Sequence, residues 1–295
     1  AILTEAGNFP TDLHVLQGLA AGSRGAVALR TAPRAALEDA IDDDVALLVL
    51  THVHYKTAAR WPMAEITRVA QSRGVLVLWD LSHSAGALAV DLNGAGADFA
   101  VGCGYKYLNG GPGAPAFAFV AERWQQSLAS PIWGWMGHAA PFAFEDGFTP
   151  APGMGRQLAG TPAILGLAAL EASLSLFAGL EMTAVEAKAQ AMADVFIQLV
   201  ESRCAGFGLD LVTPRDHARR GSHVAYAHPQ GHAIMQALIA RGVIGDFRAP
   251  DVLRFGLTPL YTRFADLWDA VETLREILEA RDYEAERFQV RRAVT

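Results

Sequence analysis

Two apolar runs, DVALLVLTH (44–52) and VLVLWDLSH (75–83), bracket the segment WPMAEITRVAQSRG (61–74). Neither run alternates polar with apolar residues, so neither face of the strand it forms is suited to water. A strand buried on both faces needs helices on both sides of its sheet, a condition that parallel β-α-β units meet. The segment between the runs predicts such a helix, with Pro62 near its first turn and Gly74 at its end. Shorter strands are expected at DFAVGCGYKY (98–107) and PAFAFVAE (115–122). The β-α-β-β order predicts an α/β fold, an open and mostly parallel sheet with helices on both faces.

Further along, residues 131–162 are rich in Gly, Pro and aromatics and only weakly periodic. A loop of that length inside a compact domain is usually functional. Residues 163–203 predict one long or one broken helix, through Leu165, Leu167, Leu170, Leu174, Phe177, Val195, Phe196 and Leu199. Strands are then expected at LDLVTP, HVAYAHP and VLRFGLTPL, and helices at HAIMQALIARG and FADLWDAVETLREILEARD. The chain is therefore expected to hold a large domain (1–178) and a smaller α+β C-terminal domain (179–295), a division its 295 residues allow. It opens without Met inside what reads as a strand end, Ile2 to Thr4, so further sequence is expected to precede Ala1.

The net charge of −7 argues against a general nucleic-acid binder, and no apolar run reaches membrane-spanning length. With only Cys103 and Cys204 there is no disulfide framework, which points to a reducing, cytoplasmic setting.

Asp80 closes an apolar strand, where a carboxylate needs a partner or a task, and His83 follows three residues later. In open α/β sheets, ligands bind beyond the carboxyl ends of the strands. A turn-capping role for Asp80 stands equally open. Lys106 also falls just past a strand, beside Asn109, Gly110, Gly111, Pro112 and Gly113. A lysine desolvated there can act as a Schiff-base nucleophile, and the glycines would let the backbone approach a ligand. An exposed lysine in a hairpin loop is the plainer alternative. Taken together, a strand-end Asp and a strand-end Lys some two dozen residues later meet two demands of pyridoxal 5'-phosphate. These are a lysine to bond its aldehyde and an acid opposite its ring nitrogen. Competing motifs are weak. GGPG is neither a dinucleotide fingerprint nor a P-loop, and no metal site is expected, since His52 and His54 lack a third ligand. Cys103 reads as a small buried side chain, and His217, His223, His228 and His232 as solvated or satisfied.

NFPTD (8–12), LTHVHYKT (50–57), WDLSHSAGALAVDL (79–92), YKYLNGGPG (105–113), GW-GH (134–138) and RFGLTPLY (254–261) resemble the kynureninases of bacteria. The resemblance runs from Asn8 to the final FQVRRAVT. It implies the fold-type-I architecture of pyridoxal phosphate enzymes and a homodimer with its active site at the subunit interface. It also implies hydrolytic Cβ–Cγ cleavage of L-kynurenine to anthranilate and L-alanine, in tryptophan catabolism and towards NAD biosynthesis. Carried over by motif, Lys106 would bond the cofactor and Asp80 would pair with its ring nitrogen. Phe9 would stack on the ring, Asp12 would help hold it, and His83 would lie close by. Tyr105 would contact the phosphate and move protons. Trp135 and Thr161 would reach the phosphate in the neighbouring subunit, and Arg254 would take the substrate's α-carboxylate in a two-pronged ion pair. Ser82 stands where the family pattern has Ala, Gly104 where it has Ser or Thr, and His54 where it has Asn. The alternatives are a cysteine desulfurase or selenocysteine lyase, which would need a catalytic cysteine on a mobile loop, and an inactive truncated relative.

Overall fold

The computed structural model describes residues 1–290, so the RRAVT end of the resemblance lies outside the described residues. The chain divides into two compact units. Ala1–Thr51, Met63–Ser82 and Asp91–Ala178 form the first; His52–Pro62, His83–Val90 and the chain from Gly179 onward form the second.

The first unit is built on six strands: β1 (Ile2–Glu5), β2 (Leu29–Ala32), β3 (Leu47–Thr51), β4 (Leu76–Asp80), β5 (Phe99–Cys103) and β6 (Ala116–Val120). Their order is β2-β1-β3-β4-β5-β6, with the first five parallel and β6 antiparallel to β5. Leu48 and Leu50 of β3 and Val77 and Trp79 of β4 are fully buried, as their unbroken apolar runs demand. Helices α1 (Pro10–Gly22), α2 (Met63–Ser72), α3 (Glu122–Gln125) and α4 (Ile164–Leu174) complete the unit. On α2, Met63, Ile66, Thr67 and Ala70 form the buried stripe, and Thr67 Oγ1 accepts a hydrogen bond from Trp79 Nε1 at 3.1 Å.

Asp98, just before β5, accepts bonds from the Val77 N–H (2.9 Å), Trp124 Nε1 (2.7 Å), Arg123 (2.7 Å) and Gln71 (3.1 Å). Burial alone would raise its pKa, but these donors hold it below the usual carboxylate range. Between 131 and 162 the chain has only short 3-10 turns and a β-bridge joining His138 to Pro150. Of the two forms open for 163–203, the broken helix is found. After α4 the chain turns through Gly179, at φ 78°, before α5 (Met182–Arg203).

The second unit carries β7 (Asp210–Leu211), β8 (His223–Ala227), β9 (Asp246–Arg248) and β10 (Val252–Gly256) in the antiparallel order β7-β8-β10-β9. Phe196 and Val200 of α5 pack with Tyr226, Leu253 and Phe255 of the sheet. Ile234 and Leu238 of α6 (Gly231–Ala240) and Leu274 and Ile277 of α7 (Phe264–Ala280) close the core. The short α8 (Glu286–Gln289) ends the described chain. Glu186 of α5 ties in both interrupting segments: its Oε1 pairs with Arg60 at 2.6 Å and its Oε2 accepts the Ala89 N–H at 2.8 Å. No single helix among the described residues is long and apolar enough to cross a membrane.

Candidate active site

Because β1, β3, β4 and β5 run parallel, their carboxyl ends share one edge of the sheet. The segments leaving that edge carry Asn8, Phe9 and Asp12 after β1, Thr51 at the end of β3, Asp80 at the end of β4, and Tyr105 and Lys106 after β5. Lys106 lies three residues beyond its strand, in a turn closed by Asn109 N–H on the Lys106 carbonyl (2.8 Å) and Gly110 N–H on the Gly104 carbonyl (2.9 Å). Gly111 and Gly113, at φ 70° and 87°, leave open space where a Cβ would stand, whereas Gly104 and Gly110 are required by the chain's own packing. A Cβ on Gly104 would meet the Pro115 carbonyl at 2.7 Å, and one on Gly110 would meet Ala114 Cβ at 2.7 Å.

The chain has three lysines. Lys56 donates to the Ala249 carbonyl (2.9 Å) and Lys188 to that of Pro259. The Lys106 ammonium makes no hydrogen bond or ion pair among the described residues. It lies 5.9 Å from the centre of the Phe9 ring and 5.2 Å from that of Tyr105. Phe9 is set by Asn8, whose Oδ1 accepts the Phe9 N–H at 2.7 Å.

Asp80 is buried. Its Oδ1 accepts both the Ser82 N–H (2.8 Å) and the Ser82 hydroxyl (2.6 Å), while Oδ2 makes no hydrogen bond among the described residues. One oxygen thus caps the turn and the other remains available, so the two roles weighed for Asp80 fall to different atoms.

Burial, then the charge of Asp80, raises the pKa of Asp12 to about 6, against the Thr51 hydrogen bond and the Lys106 charge. Thr51 has one hydroxyl proton, and both Asn8 Oδ1 and Asp12 Oδ2 (3.1 Å) lie within its reach. A protonated Asp12 resolves the conflict, since it donates to Thr51 while Thr51 donates to Asn8. The raised value means that the fold favours the neutral acid. The resulting penalty is absent below about pH 4, grows as pH rises towards 6, and is complete above it. In the cofactor-free chain, Asp12→Asn is therefore expected to stabilise by about 1–2 kcal/mol at pH 7.5, after discounting for partial exposure, and by almost nothing at pH 4. Thermal melts of both proteins at the two pH values check this. An equal gain at both would assign the effect to something other than charge.

In the second unit, Arg254 on β10 ion-pairs with Asp246 on β9, and its Nη1 donates to the Tyr55 carbonyl and to His83 Nε2 (3.3 Å). The structure thus brings His83 and Arg254 together. It also groups Phe9, Asp12, Asp80, Tyr105 and Lys106 at the sheet edge. Trp135 and Thr161 share none of the bonds of either group. Thr161 is exposed, and the Trp135 ring packs on Phe142 (5.5 Å) and Phe144 (6.4 Å).

The other candidates have structural tasks. Arg60, which can only donate, bonds His52 Nε2 at 3.3 Å, so the ring's proton sits on Nδ1 and faces Ser84 Oγ at 2.9 Å. His54 Nδ1 caps the turn formed by Lys56 and Thr57. Cys103 is half-buried rather than buried, its Sγ 3.9 Å from the Ser82 carbonyl. Cys204 caps the end of α5, buried, with its thiol pushed up to about 11 by burial and by Glu272, the opposite of a reactive loop cysteine.

The first-unit group fits a pyridoxal phosphate ring. It offers a lysine with an uncommitted amine, a phenyl face, and, on the buried residue Asp80, a carboxylate oxygen that makes no hydrogen bond among the described residues, each at or beyond the carboxyl edge of the parallel strands. Comparison with known proteins agrees. Residues 185–274 match the kynureninase C-terminal domain family. The whole chain is 53% identical to a kynureninase of Burkholderia mallei (strain SAVP1) and 50% identical to one of Pseudomonas fluorescens, spanning 71% of each. Among solved structures, the cystine C-S lyase C-DES in complex with cysteine persulfide aligns at TM-score 0.80 and 21% identity, over 93% of this chain and 74% of that one. An apo cysteine desulfurase from Thermococcus onnurineus NA1 aligns at 0.78 and 17%, over 95% and 73%. At such identities these two show the shared fold alone. By its full-length identity to the curated kynureninases, the chain belongs to the kynureninase family.

Proposed function

We propose that this chain is a pyridoxal phosphate-dependent hydrolase that adds water to L-kynurenine and cleaves its Cβ–Cγ bond, giving anthranilate and L-alanine. The observation that carries the chemistry is Lys106, whose amine is uncommitted in a chain where both other lysines are hydrogen-bonded. The choice of substrate rests on the kynureninase relatives.

When bound, the cofactor supplies an electron sink for charge developing on the substrate's carbon atoms. Lys106 Nζ would hold the cofactor by its aldehyde carbon and, once displaced there by the substrate's amine, would take and return the substrate's α-proton. Asp80 Oδ2 would keep a proton on the ring nitrogen, while Ser82 fixes the carboxylate's other oxygen. Phe9 would offer a ring face, Asp12 and His83 are assigned to the cofactor's surroundings, and Tyr105 would serve the phosphate and the later proton transfers. Arg254 is assigned the substrate's α-carboxylate.

A homodimer is part of the same proposal, with Trp135 and Thr161 reaching the partner's cofactor phosphate. Trp133, Trp135, Phe142 and Phe144 are 42–76% exposed, and Trp133, Trp135, His138 and Phe148 line a cavity of about 400 Å³. Apolar surface of this kind marks an interaction site, and a second copy is its assigned occupant.

Anthranilate fluorescence on mixing the chain with pyridoxal phosphate and L-kynurenine tests the activity. Release of anthranilate is the expected result. Sulfide from L-cysteine, without anthranilate from kynurenine, would move the assignment to the desulfurases.

A further inference from the structure

Arg254 spends most of its donors within the second unit, and this limits how it can bind a carboxylate. A guanidinium has five N–H donors: one on Nε and two on each Nη. Nε donates to both Asp246 oxygens (2.9 and 3.1 Å), and one N–H of Nη2 donates to Asp246 Oδ2. The two on Nη1 go to the Tyr55 carbonyl and to His83 Nε2. One donor of Nη2 is left. A two-pronged ion pair needs two donors on one edge, and Asp246 already holds the Nε/Nη2 edge. The remaining edge, Nη1/Nη2, opens only if one Nη1 partner gives way. At 3.3 Å, and to a neutral ring, the His83 bond is the longest and weakest of the set.

Asp246 is not placed to give way. It stands directly opposite Arg254 in the β9–β10 register, so both side chains share one sheet face, and Arg248 also holds it, at 3.2 Å. We propose that Asp246 is the positioning residue of the carboxylate site. It locks Arg254 by the Nε/Nη2 edge, so that an incoming α-carboxylate takes the Nη1/Nη2 end in place of His83. The proposal rests on the assignment of Arg254 to the substrate's carboxylate.

The test compares Asp246→Ala, Asp246→Asn and Arg254→Ala as holoenzymes, using L-kynurenine as substrate and its decarboxylated amine as competitive inhibitor. Asp246→Ala should raise KM by roughly tenfold to a hundredfold, the range for truncating one member of a partly buried charge pair. Its kcat should move far less, and the inhibitor constant of the amine should stay within about twofold. Asp246→Asn keeps an oxygen acceptor and the side-chain volume, so it should recover part of the lost affinity, even if the alanine variant folds poorly. An unchanged or lowered KM in both Asp246 variants would overturn the proposal, because Asp246 would then be a competitor for Arg254. A matching loss for the amine would also overturn it, because the role would then be structural. If Arg254→Ala leaves KM unchanged, the carboxylate assignment itself fails. If it raises KM while Asp246→Ala does not, only the positioning role fails.

Discussion

Lys106→Ala should lower turnover of L-kynurenine by about 10³-fold or more while leaving the fold in place. The two halves of that expectation have separate grounds. The amine of Lys106 makes no hydrogen bond or ion pair among the described residues, and its ring contacts, at 5.2 and 5.9 Å, are long. Truncation therefore orphans no buried polar group, and the loss in stability should be within about 1 kcal/mol, the scale of an exposed cation–π contact. The chemistry, by contrast, has no substitute donor, since Lys56 and Lys188 are bonded to carbonyls elsewhere. Lys106→Arg should be equally inactive, because a guanidinium stays protonated and cannot bond the aldehyde. Borohydride reduction of the loaded protein, followed by peptide mass mapping, gives a readout that does not depend on turnover. With only three lysines to tell apart, the pyridoxyl mass should appear on the Lys106 peptide and vanish in the alanine variant. The mass on another lysine, or full activity in Lys106→Arg, would refute the assignment.

Much of this site is legible in the sequence, for physical reasons that can be named. The unbroken apolar runs of β3 and β4 require a sheet covered on both faces, and in such a sheet the residues that close the strands face a ligand edge. Asp80 and Lys106 are therefore conspicuous, as the polar residues that end or follow apolar strands. Thr51, Asn8 and Ser82 are less so. Each works by a hydrogen bond to a neighbour chosen by the fold: Thr51 lies 43 residues from Asn8 and 39 from Asp12, and no periodicity reports such a pairing. Asp246 is silent in the sequence because β9 spans only three residues, too short for an alternating pattern, and its partner is fixed by antiparallel register. The strand expected at 98–107 is longer than the one formed, because Gly104 makes the last bond in register with β6, to the Pro115 carbonyl, and its own carbonyl then accepts the Gly110 N–H and closes a turn that contains Lys106. The broken helix after residue 163 was one of two open forms, and the left-handed Gly179 decides between them.

Asp80→Asn should cost roughly 10²–10⁴-fold in kcat, the usual range for loss of a positioned proton-holding group, and the geometry says why so small a change is severe. Ser82 donates to Oδ1 from both its N–H and its hydroxyl, so in the variant the amide oxygen must face Ser82. The amide NH₂ then stands where Oδ2 stood, and it donates where the carboxylate accepted. A donor opposite the ring nitrogen favours the unprotonated ring and weakens its capacity to absorb charge. The fold should be unaffected, since both Ser82 bonds survive. Asp80→Ala should lose comparable activity by a different route, leaving space and no charge. A cofactor analogue methylated on the ring nitrogen carries a permanent positive charge, and it should restore part of the activity of the alanine variant but not that of the asparagine variant, whose amide fills the space. Asparagine at wild-type activity would mean that ring protonation is not the task of Asp80. Failure of the methylated analogue in the alanine variant, with binding intact, would mean that Asp80 positions the ring rather than charging it.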